Sequence, residues 1–144
     1  MIEIANLTKQ KVKQDLIVKI AQKVLLGEKA KKWNISICFV GCAKIKELNK
    51  NFKGKDAQTD VLSFAGLEID GCKEKVGEIF VCLKEVQANA KKDGQSLREA
   101  LDWAVVHSIL HLLGYDHEKS EKDAGIMRKK EQAYLLFAHS CHSH

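Results

Sequence analysis

An α+β fold, with a mixed sheet of about four strands and about five helices, is the architecture this 144-residue sequence predicts. Two observations carry it. Short segments with period-two alternation of apolar residues fall in the first 83 residues, and helical spacing dominates the rest of the chain. With 45% hydrophobic and 30% charged side chains, the chain has apolar content for one core. We therefore expect a single domain over 1–144, with 139–144 as a flexible tail.

Ile2 and Ile4 alternate in a short strand over residues 2 to 6, and Thr8 is placed to cap a following helix. Val12, Leu16, Ile17, Ile20, Ala21, Val24 and Leu25 recur at helical spacing, so a helix is predicted over residues 9 to 26, with Gly27 near its stop. Trp33 to Val40 alternates Ile35, Ile37 and Phe39 as a second strand, and Gly41 turns the chain into a helix carrying Ile45, Leu48 and Phe52. Asp60 to Ala65 and Gly77 to Leu83 are two more strands, joined by a loop from Gly66 to Val76. A helix from Lys84 stops at Asp93-Gly94, and Ser96 caps a strongly apolar helix reaching Leu113. A last helix, Ser120 to Ala138, presents Ile126, Met127, Ala133, Tyr134 and Phe137.

No apolar stretch is long enough to span a bilayer, and the N-terminal residues lack the basic-then-apolar order of a secretory leader. A cytoplasmic location is the expectation. Cys38, Cys42, Cys72, Cys82 and Cys141 form an odd set without a Cys-x-x-Cys pair, as expected of free thiols in a reducing compartment. Charge is one-sided: residues 1 to 57 hold 13 basic and 5 acidic side chains, a net +8, while residues 58 to 144 carry −3. Such asymmetry suits a polyanion such as RNA near the N-terminal half, and equally a solvated lysine face.

Chemistry is legible in one stretch, His107-Ser-Ile-Leu-His111-Leu-Leu-Gly114-Tyr-Asp-His117. His107 and His111 are four residues apart, so on a helix they project from one face, one turn apart. Gly114 can adopt the left-handed conformation that ends a helix and turns the chain back, bringing His117 in as a third ligand. Three imidazoles leave a fourth coordination position for water, the mark of a catalytic rather than a closed metal site. All-nitrogen ligation favours one Zn²⁺ per chain.

The same offsets occur in the metzincin pattern His-Glu-x-x-His-x-x-Gly-x-x-His, so a metallopeptidase is an alternative. The general-base glutamate of that pattern is replaced by Ser108, whose hydroxyl cannot serve as the base. Asp116 and Glu118 are the remaining candidate bases, and Asp116 suits the orientation of a ligand histidine. No Gly-x-Ser-x-Gly turn surrounds Ser63, which excludes a serine nucleophile of that kind. The tail's His139, Cys141, His142 and His144 are expected to be disordered.

Together with Asn51-Phe-Lys-Gly-Lys-Asp-Ala-Gln-Thr59-Asp60-Val-Leu-Ser63-Phe64 and Gly77-Glu-Ile-Phe-Val, the histidine segment resembles the YbeY family of bacterial endoribonucleases and rRNA maturation factors. The likeness covers about Asn49 to Leu136. It implies a single-strand-specific, metal-dependent ribonuclease acting in 16S rRNA 3′ end maturation and ribosome quality control, with His107, His111 and His117 as zinc ligands. Implied partners are small-subunit rRNA, small-subunit ribosomal proteins and the GTPase Era. The family's phosphate-directed arginine corresponds to Lys53, which keeps the charge and loses the planar fork. Lys53, His111 and Asp116 are thus the candidate catalytic residues, with Lys53 and Lys55 beside Phe52 offering charge and a stacking surface to RNA. Thr59, Asp60 and Ser63 are expected to tie a strand near the site. A non-catalytic ribosome-assembly factor with structural zinc is the alternative from a different class.

Overall fold

The computed structural model describes residues 1–65 and 75–141. The loop expected from Gly66, Cys72 within it, and the tail residues His142 and His144 lie outside the described residues. The described elements are β1 (Ile2–Asn6), α1 (Gln14–Gly27), β2 (Trp33–Phe39), α2 (Cys42–Lys53), β3 (Val61–Ala65), β4 (Lys75–Val81), α3 (Leu83–Lys92), α4 (Leu97–Leu112) and α5 (Glu121–Cys141). The strands form one mixed sheet of order β1-β2-β4-β3, parallel except at the β3 edge.

Period-two alternation sorts the sheet's side chains into two cores. Ile35, Ile37, Phe39, Ile79 and Val81 meet α1, α3, α4 and α5 on one face. Cys38, Val40, Leu62, Phe64, Phe80 and Cys82 meet Ile45 and Leu48 of α2 on the other. The result is three layers, with α2 alone on its side. Helix α4 lies deepest: Leu101, Ala104, Val105, Val106, Ile109 and Leu110 are all buried. Ser96 begins it with a reciprocal capping box, its hydroxyl accepting from the Glu99 amide at 3.1 Å.

Several boundaries differ from the sequence expectation. Helix α1 starts at Gln14, not after Thr8. Asn6 Oδ1 accepts from both the amide and the hydroxyl of Thr8, and the Asn6 amide group donates to Gln10 O at 2.7 Å. These local bonds satisfy the backbone in a turn and postpone the helix. β4 begins at Lys75 because Lys75 and Val76 pair with Trp33 and Asn34 of β2. Phe52 is 66% exposed rather than core, and Ile126 and Ala133 also face outward from their helix. Helix α5 continues to Cys141, so residues 139–141 are helical where a flexible tail was expected. Among the described residues, no helix is long and apolar enough to cross a membrane.

Gly27 is the last residue of α1, at the stop expected for it, and its part there is steric. A Cβ there would strike Tyr134, whose hydroxyl passes over it, so the missing side chain admits α5 against the end of α1. That hydroxyl donates to Glu28 Oε2, Tyr115 donates to Oε1, and Lys130 Nζ pairs with Oε2 at 3.2 Å. One carboxylate thereby joins the end of α1, the turn after α4 and the middle of α5. Burial alone would raise the Glu28 pKa, but the two tyrosine hydroxyls and Lys130 together outweigh it and hold it below 4.5.

A depressed folded-state pKa stabilises the fold above the ordinary carboxylate range, and this is lost as pH falls through the folded value. We expect Glu28→Gln to lower Tm at neutral pH and to flatten the acid limb of the Tm–pH curve below pH 4.5. Thermal melts by circular dichroism across acidic pH would check it, and parallel profiles for the two proteins would refute the role.

Candidate metal centre

Helix α4 delivers His107 and His111 on one face near its C-terminal end. Gly114 then takes φ +106°, a region that disfavours side chains, and the amides of Gly114 and Tyr115 cap His111 O and Leu110 O, each at 3.1 Å. This turn carries Asp116 and His117 back toward the helix. His117 comes to rest with its ring centroid 5.4 Å from that of His107 and tilted by 54°.

The three histidines line one pocket of about 370 Å³, together with Asn49, Lys53, Lys55, Thr59, Ser63, Asp116 and Glu118. All three candidate metal ligands and all three candidate catalytic residues therefore share a single cavity. Its walls come from α2, the segment entering β3, α4 and the turn after α4.

His107 is held on two sides. Trp103, one turn earlier, stacks on it at 4.5 Å and 21°. Glu131 of α5 lies 3.2 Å from Nδ1. An ionised carboxylate only accepts, so this pairing puts a ring proton on Nδ1, and in the neutral ring the lone pair is then on Nε2. Sequence reading missed Glu131. The available signal is its position: on α5 the buried residues are Met127, Glu131, Tyr134 and Ala138, an apolar stripe with one acid set into it.

Asp116 lines the pocket, with Oδ1 accepting the Glu118 amide at 2.8 Å, a bond that shapes the turn. The carboxylate that holds an imidazole is instead Glu131. Ser108 is buried and donates to Ala104 O at 2.7 Å, so its hydroxyl is committed to the helix backbone.

Does the donor set suit zinc? Two imidazoles bound tetrahedrally with Zn–N of about 2.0–2.1 Å have ring centroids roughly 5 Å apart, and the His107–His117 separation of 5.4 Å matches. The exposed His111 ring stands on the same wall with room to turn. Among the described residues, no three His, Cys, Asp or Glu side chains are drawn together as a metal-holding group. The nitrogen donors and the His107–His117 spacing fit the ion; among the described residues the three rings do not close into a triad.

With this geometry in view, comparison with known proteins decides the family. The family model described as Endoribonuclease YbeY matches residues 3–138. The chain belongs to the YbeY family.

The Endoribonuclease YbeY of Thermodesulfovibrio yellowstonii is 46% identical over 102 residues, which cover 70% of this chain and 64% of that protein. The Endoribonuclease YbeY of Aquifex aeolicus is 35% identical over 133 residues, covering 92% of this chain and 88% of the relative. The solution structure of the Thermotoga maritima protein TM1509 superposes with a TM-score of 0.66 at 32% identity, over 96% of this chain and 89% of that one. The YbeY likeness thus reaches into the N-terminal third, beyond the motifs from Asn49 onward.

In this YbeY chain the cationic wall rests on Asn49 and Asp60. Asn49 is buried, and its Nδ2 donates to Ala57 O at 3.0 Å, folding the segment after α2 back on the helix. Asp60 Oδ1 accepts the Val61 amide at 2.9 Å, and its other oxygen accepts from Asn89 at 3.4 Å. As expected, Thr59 and Asp60 tie the start of β3; Ser63 contributes to the lining. Lys53 Nζ lies 5.3 Å from the centre of the Phe64 ring. Phe52 packs on the same ring at 5.2 Å and does not line the pocket. Removing the Asn49 donor leaves the exposed Ala57 carbonyl to water and frees the segment that carries Lys55 and Thr59. Asn49→Ala should cost about 0.5–1.5 kcal/mol and speed amide exchange across residues 54–60. Unaltered melting and exchange would refute that role.

Proposed function

We propose that this chain is a single metal-dependent hydrolase domain that cleaves single-stranded RNA as an endoribonuclease in 16S rRNA 3′ end maturation and ribosome quality control. The observation that carries this reading is the shared pocket: three imidazoles and two lysines line one cavity. A phosphodiester needs both, a site for an electrophilic cation and fixed positive charge for the non-bridging oxygens. Membership of a family described by endoribonuclease activity supports it.

His107, His111 and His117 would hold the ion, and one Zn²⁺ per chain is the species we propose; when bound, zinc supplies Lewis acidity and lowers the pKa of water. The remaining work falls to the protein. Glu131 fixes the His107 tautomer, so that in the neutral ring the lone pair is on Nε2. Trp103 restricts the ring's rotation by stacking. Lys53 and Lys55 attract and orient the phosphate as point charges, without the two-pronged geometry of an arginine. Asp116 and Glu118, at the pocket rim, are positioned to accept a proton as the phosphate is attacked. Small-subunit rRNA is the natural substrate under this reading, and small-subunit proteins and the GTPase Era are the partners that the family resemblance implies.

The metallopeptidase alternative has lost its support at Ser108, whose hydroxyl is bonded within α4. Purified wild-type protein should contain about one zinc equivalent by elemental analysis and cleave single-stranded RNA but not casein. His111→Ala should remove both zinc and cleavage while keeping a native circular dichroism spectrum; full cleavage by that variant would reject the metal assignment. Lys53→Ala should slow turnover by roughly 10-fold or more, the scale of removing one charged donor from a phosphate, with Lys53→Arg retaining most activity. Equal rates in all three proteins would leave Lys53 without a role.

A further inference from the structure

A second cavity, about 810 Å³ against about 370 Å³ for the histidine pocket, opens beside the same turn. Lys29, Lys31, Lys32 and Lys75 line it, around Trp33 and Tyr115. Its acid, Glu28, is already engaged by Lys130 and two tyrosines, so the lysines dominate the field. Trp33 is half-buried, and Lys75 Nζ lies 5.8 Å from its ring centre. The two cavities are lined by consecutive residues of one turn, Tyr115 for this one and Asp116 for the histidine pocket.

Lys29 marks this groove. It has φ +57°, the one positive-φ residue other than glycine among those described. It occupies the left-handed position that ends α1, where the amides of Lys29 and Ala30 cap Leu26 O and Leu25 O. Glycine is the usual residue there, and a lysine is strained by it. Gly27 sits two positions earlier, under Tyr134, and cannot serve. A strained side chain kept at a lysine-lined cavity points to a use outside the fold.

We propose that this groove binds the single strand flanking the scissile nucleotide, with Lys29, Lys31, Lys32 and Lys75 on phosphates and Trp33 stacking on a base. The inference rests on the endoribonuclease reading and extends it to substrate length. A basic groove with an aromatic platform is the general means of holding unpaired strands without sequence preference. Its place on the same turn as the histidine pocket favours RNA over an acidic protein segment.

The test compares a short single-stranded RNA, confined to the histidine pocket, with a longer one, using wild type, a Lys31→Gln/Lys32→Gln double variant and Lys29→Gly. On the long RNA both variants should raise KM several-fold at unchanged kcat, and on the short RNA neither should. For the double variant the log–log salt dependence of long-RNA binding should fall by about 1.4, about 0.7 for each phosphate no longer neutralised. Lys29→Gly should melt no lower than wild type, which separates weakened binding from weakened folding. Unmoved KM and salt slope in variants that still cleave would overturn the groove and leave the ribonuclease reading standing. Failure of wild type to cleave either RNA would overturn that reading and the groove with it. If the variants lose polyglutamate binding while their KM for RNA is unmoved, the groove serves an acidic protein and the proposal is wrong.

Discussion

An imidazole set into a buried helix needs partners for both ring nitrogens, and the pocket's layout follows from how α4 meets that need. The helix must be apolar nearly all round to fill the space between the sheet and α5, so a polar ring on it is costly unless satisfied. Glu131 answers for Nδ1 of His107. Nε2 is left to face the cavity. A chain that buries one carboxylate to hold one imidazole has fixed in advance which nitrogen is offered to a cation, before any ion is present. Trp103 adds a second restraint from within the same helix.

A comparable economy operates at Glu28, where one acid takes donors from the turn after α4 and from two positions on α5. The carboxylate is shielded enough that burial works against its charge, and its three donors together outweigh that burial. Because Tyr115 is one of them and comes directly after Gly114, the junction also sets where the turn bearing His117 leaves the helix. The turn bearing His117 is therefore anchored by a residue, Tyr115, that does not line the histidine pocket. Both anchors are carboxylates on or against α5, a helix that lines neither pocket wall with its own backbone.

The parts of this arrangement that sequence alone could reveal are the local ones. Histidine offsets of four and six with an intervening glycine depend only on helix periodicity and one backbone conformation, and the chain does bring those rings into one pocket. The Ser96 cap and the Asp93-Gly94 stop are equally local, and both stand where expected. Thr8 misled because Asn6, two residues before it, offers a competing acceptor. Glu131 and Glu28 were invisible for another reason. Their partners are 24 and between 87 and 106 residues away, and no periodicity links an acid to a ring across such distances. Phe52 continues the helical pattern of Ile45 and Leu48, but at the end of α2 its ring reaches past the sheet edge onto Phe64 instead of into the core.

The one-sided charge of the sequence takes on a spatial meaning once the turn after α4 is in place. The basic residues of the first 57 supply the lysines on both sides of it, Lys53 and Lys55 in the histidine pocket and Lys29, Lys31 and Lys32 in the neighbouring groove. The acids of the second half supply Glu131, Asp116 and Glu118 around the imidazoles. Carboxylates tune ring nitrogens, while lysines meet a polyanion, and neither can replace the other without cancelling it. Segregating the two signs along the chain lets different elements of the fold bring them to one cavity. Averaging the same 24 basic and 19 acidic residues evenly over the surface would give the same net charge and no such field.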